Sequence, residues 1–251
     1  MRRLRPWRGT QHVPMPPIDP PPPDARLLAG DAGWLVDRAV HELRNSLSAI
    51  RIGVELMNRS DDGCASTCAP VLAHIDNAAQ RANALSDELT DACRLASGRP
   101  LLLHPQRFGL HATVQLALDA LLREMPGPAI EHDRLGDGEC AGDPLRITQF
   151  VGLAFAEIRA DAPSALVIVI SEVAADRFRI AMHADGAPAT RPGVAQQHAA
   201  RQAQAESRRR TLLLQAIAHA HGGCAHVRSE GITGRTVDAS FSSIALVPGA
   251  A

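Results

Sequence analysis

Two long apolar stripes at helical spacing, separated by one short turn cluster, constrain this chain more than any other feature. From Asp31 onward, Ala39, Leu43, Leu47, Ile50, Val54 and Met57 recur at steps of three or four residues. That is the spacing of one helix face of the coiled-coil type. The stripe stops at Ser60-Asp61-Asp62-Gly63, a turn cluster. A second stripe, Leu72, Ile75, Ala79, Ala82, Leu85, Leu89, Ala92 and Leu95, predicts a helix from about Thr67 to Ala96. Ser97-Gly98-Arg99-Pro100 ends it with glycine and then proline. Two such helices make a hairpin, and one hairpin alone cannot bury both stripes. The expected solution is a homodimer through residues 31–99, forming a four-helix bundle.

On either side of the hairpin the pattern changes. Residues 1–30 hold eight of the 18 prolines, including Pro20 to Pro23, and read as an extended, disordered leader. After Pro100 the chain is mixed. Helices are expected over Leu110 to Arg123, Pro144 to Ala160 and Arg209 to Ala220. Strands are expected over Ala129 to Asp133, Ala165 to Glu172, Arg177 to His183, Ala225 to Ser229 and Thr236 to Val247, with a loop rich in Ala, Gln and Arg before the last helix. The fold class is therefore α+β: a helical hairpin, then an α/β sandwich over residues 100–251 with helices on one face of a largely antiparallel sheet.

Composition removes several functions. The formal net charge is -1, which argues against nucleic-acid binding by bulk charge. Aromatic residues make up only 3%, too few for base-stacking platforms. All 26 basic residues are arginine, so Schiff-base chemistry, a P-loop lysine and a Ser-Lys dyad are excluded. Five scattered cysteines fit a reducing compartment better than a disulfide framework. No secretory signal and no membrane-length apolar run is visible, so the expectation is a cytoplasmic protein without membrane contact.

The chemistry sits in His41-Glu42-Leu43-Arg44-Asn45-Ser46-Leu47-Ser48-Ala49-Ile50. Leu43 and Leu47 fall on the apolar stripe, while His41, Asn45 and Ser48 share a polar one. A carboxylate holding the imidazole Nδ1–H leaves the Nε2 lone pair free, and Glu42 is the adjacent candidate. Asn45, one turn on, can position a water or a substrate oxygen near that nitrogen. The string HELRNSLSAI resembles the H-box of histidine kinases. The resemblance implies a dimerisation and phosphoacceptor hairpin, with His41 phosphorylated, Glu42 as acidic partner and Asn45 as the residue used in dephosphorylating a response regulator. Ser46 stands where the family usually has proline, which removes a kink.

The second part resembles the ATP-binding domain of the same family in outline. Asp143 to Val151 looks like the start of its N-box helix. The two asparagines of that box would fall on Leu153 and Glu157, and the second normally holds magnesium. In the next box Ala184 replaces the adenine-recognising aspartate, with Asp185 and Gly186 beside it. The glycine-rich lid would fall on Arg208, Arg209, Arg210 and Thr211, whose side chains block a backbone approach to phosphate. The resemblance thus implies a degenerate nucleotide site near Glu157, Asp185 and Gly186. In plan the chain resembles the dimeric histidine phosphotransferases, which relay phosphate between receiver domains without ATP.

That likeness implies a phosphotransferase acting on protein histidine. His41 would exchange a phosphoryl group with receiver aspartates of response regulators, the receiver supplying magnesium, with no cofactor of its own. The alternatives are a divergent histidine kinase using ATP and magnesium, and a silent module that binds a response regulator. Three other clusters carry bland readings. His219, His221, Cys224 and His226 surround a helix-to-strand turn at Gly222-Gly223. Cys64 and Cys68 lie in the hairpin turn with no second pair. Arg208-Arg209-Arg210 is read as a solvated helix start.

Overall fold

In the computed structural model, residues 25–59, 65–124, 129–160, 166–185, 197–229 and 235–244 are described. The expected leader falls outside them as far as residue 24, as does the turn at Ser60 to Gly63. Helices α1 (Ala25–Arg59) and α2 (Ala65–Ala96) pack together as the hairpin. Helix α1 starts before the expected Asp31, so its first turns reach back into the leader segment.

The face of α1 most deeply buried against α2 is displaced from the expected stripe, which it shares only at Ala39. It is a line of small side chains, Ala39, Ser46 and Gly53, all buried and seven residues apart. They let the helices approach closely: a Cβ on Gly53 would stand 2.6 Å from Ile75 Cγ1. Leu47 remains 60% exposed and Val54 45% exposed. The expected stripe is therefore left uncovered at Leu47 and Val54, because the small seam beside them fits the partner helix more tightly.

The remaining elements are β1 (Gln106–Gly109), α3 (Leu110–Glu124), β2 (Ile130–Leu135), β3 (Glu139–Gly142), α4 (Pro144–Arg159), β4 (Leu166–Val173), β5 (Arg177–Asp185), α5 (Gln197–Ala220), β6 (Cys224–Ser229) and β7 (Arg235–Ser242). The main sheet has the order β2-β4-β5-β7-β6. Its pairings are antiparallel except β2 with β4, which is parallel with Ile130 opposite Val167. Strands β1 and β3 form a separate antiparallel pair. Neither short strand was legible as a strand in the sequence.

Alternation places Val167 and Val169 of β4, Phe178, Ile180 and Met182 of β5, and Val237, Ala239 and Phe241 of β7 on one face, against α3, α4 and α5. All five phenylalanines are in this half. Phe178 stacks on Phe241 at 4.9 Å, and Phe150 meets Phe241 edge-on at 5.1 Å. Each fully buried ring contributes about 1.5–3 kcal/mol.

Two boundaries differ from expectation. Helix α5 begins at Gln197 and not at Arg209, because the Ala-, Gln- and Arg-rich stretch read as a loop consists of strong helix formers. Strand β7 ends at Ser242, short of Val247; Ser243 turns its N–H to Asp176 O at 2.8 Å, and residues from 245 on lie outside the described set. Gly222 and Gly223 take the chain from α5 into β6. Gly222 has φ +69, and a Cβ on Gly223 would lie 1.9 Å from Ser240 O, so no other residue fits there.

Candidate functional site

Helix α1 carries His41, Glu42 and Asn45 in an unbroken helix, since Ser46 keeps the N–H that proline would lack. Ser46 is itself buried against α2. His41 and Asn45 are both exposed, with Asn45 Nδ2 3.2 Å from His41 Nδ1. The neighbour of Nδ1 is therefore the amide four residues on, which faces the same way. Glu42 is turned about 100° around the helix from His41. It lines the groove between α1 and α2 with Asn45, Ser46, Ala49, Arg81, Leu85 and Glu88, a space of about 430 Å³.

The orientation of the Asn45 amide decides which ring nitrogen reacts. With its N–H donating to Nδ1, the neutral ring carries its proton on Nε2. Turned over, the amide oxygen accepts from Nδ1–H and Nε2 keeps its lone pair. An exposed amide makes that turn at little cost, so the pair can present a nucleophilic Nε2. Beside it, Val40, Leu43, Arg44, Leu47, Ser48 and Arg51 line a second, shallower groove on the outer side of α1.

The second candidate region is built on α4. Asp143 caps this helix: Oδ1 accepts from Leu145 N–H at 3.0 Å and from Arg146 N–H at 3.1 Å, and Pro144 opens the first turn. The helix brings Leu153 against the core and buries Glu157 completely. Arg210 Nε of α5 donates to Glu157 Oε2 at 2.8 Å, and Ser207 Oγ donates to Oε1 at 2.6 Å. Arg235 of β7 also donates to Oε1, and to Ser207 Oγ at 2.9 Å. A carboxylate sealed between two guanidiniums has no charge left to offer a cation.

Burial holds the Arg235 guanidinium below its ordinary range. Arg209 reaches Glu88 on α2 at 3.3 Å and Glu206 at 3.5 Å. Only 11% of the Arg209 side chain and 13% of Arg210 are exposed. The arginine run is thus not the solvated helix start expected of it. It lies mid-helix with two of its members turned into the protein. The sequence could show the run, but not the acids awaiting it on α2 and α4. Of Asp185, only the backbone at the end of β5 is described, and Gly186 lies outside the described residues.

Two other reactive side chains are buried. His221 is buried: Nδ1–H donates to Ile217 O at 2.9 Å, and Nε2 accepts from Asp143 N–H at 3.1 Å. Burial pushes the Cys140 thiol up to about 12, with Glu139 and Asp137 adding to it. Among the described residues, no three His, Cys, Asp or Glu side chains are grouped to hold a metal ion. Among them, too, no helix is long and apolar enough to cross a membrane.

No family model matches the chain. No curated protein matches it either. Solved structures do. Full-length ShkA in complex with AMPPNP aligns at 14% identity over 86% of this chain and 47% of ShkA, with a TM-score of 0.52. The Acinetobacter baumannii histidine kinase AdeS aligns at 15% identity over 81% of this chain and 98% of AdeS, at 0.48. The histidine kinase ThkA, solved with the response regulator protein TrrA, aligns at 15% identity over 88% of this chain and 64% of ThkA, at 0.45. The ShkA alignment shows a shared fold, in which this chain spans about half the length of that protein.

Proposed function

We propose that this chain is a phosphotransfer protein of two-component signalling, in which His41 takes a phosphoryl group from one receiver aspartate and passes it to another. Nε2 of His41 attacks the phosphorus of the aspartyl phosphate in line. The P–N bond forms as the acyl P–O bond breaks, and the aspartate leaves as a carboxylate. Magnesium comes with the receiver. Asn45 holds the ring through Nδ1, and Glu42 places a carboxylate at the same level of the groove. The reverse steps load a second receiver, and a homodimer forms over the uncovered Leu47 and Val54 face of α1.

The observation that carries this reading over an ATP-dependent one is the sealed Glu157. The carboxylate stands where the resemblance expects a magnesium-holding asparagine, and it is spent on Arg210, Arg235 and Ser207. A triphosphate brought there would find no carboxylate or amide left to hold its magnesium. The second reading, a divergent histidine kinase, is favoured by the fold shared with ShkA, a protein solved with AMPPNP.

Radiolabelled phosphotransfer separates the two. Label is expected to move from a phosphorylated receiver domain to the wild type, not to His41→Gln, and not from ATP alone. Labelling of His41 by ATP and magnesium without a donor kinase would overturn the phosphotransfer reading in favour of the kinase. Failure of any receiver to label the protein would leave only a silent binding module.

A further inference from the structure

The junction between hairpin and sandwich is fastened at every step. Asp91 of α2 is buried and meets Arg146, in the first turn of α4, with both oxygens: Arg146 Nη2 donates to Oδ1 at 2.9 Å, and Nη1 donates to Oδ2. Nη1 also donates to Gln149 Oε1 at 2.9 Å. Nearly one turn back on α2, Glu88 accepts from Arg209 of α5. Two acids three residues apart on α2 therefore hold two different helices of the sandwich. A buried pair of this kind adds little net stability, because desolvation offsets attraction, but it fixes geometry.

The connecting segment is equally constrained. Pro100 O accepts from Arg94 Nε at 3.1 Å, and Leu102 O accepts from Arg146 Nε at 3.3 Å. His104 N–H donates to Asp143 Oδ2 at 2.7 Å, on the same carboxylate that caps α4. Between them Leu101 is buried, and both Leu101 and Leu95 of α2 belong to the core of the sandwich. A hinge needs a few residues free to change φ and ψ. From Pro100 to His104 every second residue has a backbone group tied to α2 or α4.

We infer that α2 and the sandwich form one rigid body, so that the sandwich is a fixed shelf beside His41 and not a domain that swings. The groove pairs Glu42 and Asn45 with Leu85 and Glu88, which sets the Glu88–Arg209 contact at the level of His41. A receiver reaching His41 thus meets an α5 whose position is already set. This last consequence rests on the phosphotransfer reading; the rigidity itself does not.

Residual dipolar couplings on the full chain test it. One alignment tensor is expected to fit the amides of α2 and of the sandwich together. Asp91→Asn combined with Glu88→Gln is expected to lose the common tensor, and the charge exchange Asp91→Arg with Arg146→Asp to regain it. Should the double variant be too unstable, Arg146→Gln with Arg209→Gln removes the same two ion pairs from the other side. Two independent tensors in the wild type would overturn the inference. A common tensor that survives in both neutralised variants would keep the rigid body and overturn its assignment to the two ion pairs. Labelling of His41 by ATP would sink the phosphotransfer reading while leaving the tensor result intact.

Discussion

Glu157→Gln removes one charge from the most enclosed ionic cluster of the sandwich, and its cost follows from the surroundings. Taking one partner out of a buried ion pair costs about 3–5 kcal/mol, because the remaining charge is stranded. Three features lower that figure here. Arg210 and Arg235 keep 13% and 19% of their side chains exposed, so each guanidinium can turn partly to water. Arg210 also retains Glu206 at 3.7 Å. The glutamine oxygen can still accept from Ser207. A loss of about 2–3 kcal/mol is therefore expected, which for a chain of this length lowers Tm by about 4–12 °C. Urea unfolding followed by circular dichroism measures it. Fluorescence is unsuitable, since the two tryptophans are Trp7 and Trp34, remote in sequence from the sandwich. A midpoint shift equivalent to less than about 0.5 kcal/mol, the size of an ordinary surface change, would refute the reasoning. Glu157 would then not be sealed by the arginines.

Two further outcomes follow from the same structure. Burial holds the imidazole of His221 below its ordinary range; burial, then Arg134 and His111, do the same for His132. The unfolded chain takes up these protons first, so the stability from the neutral rings is complete above about pH 6.5 and is lost as pH falls toward and through the folded values. The urea midpoint is expected to drop between pH 7.5 and 5.5, more than in a His221→Gln variant, and equal slopes in the two proteins would count against it. Separately, Leu47→Asp with Val54→Asp places charge on an exposed face, so sedimentation is expected to show a monomer whose hairpin unfolds at a lower urea midpoint than the wild type's. A dimer that persists would mean that another surface holds the copies together.

The two helices were legible because periodicity specifies them: the stripes and the glycine–proline stop after α2 are local signals. Which face of α1 meets α2 was not. Large apolar residues draw the eye, while the seam is made by Ala39, Ser46 and Gly53, whose contribution is the room they leave. His41 and Asn45 were readable as neighbours because four residues make one turn. The partners of Glu157 were not, since Ser207 and Arg235 lie 50 and 78 residues away in sequence. The Asp91–Arg146 junction was invisible for the same reason. Strands β1 and β3 are four residues each, too short for alternation to show.

The small seam of α1 also makes the proposed homodimer a matter of hairpin stability. Side chains that would have stabilised the hairpin from within, Val40, Leu47 and Val54, face outward, and what lies inside is mostly methyl and hydroxyl groups. In the proposed homodimer, apolar burial on that face comes from a second molecule. Stability acquired in that way depends on protein concentration, by about 1.4 kcal/mol for each tenfold dilution of a two-state dimer. The abundance of the chain would then help to set how much of helix α1 is held in place.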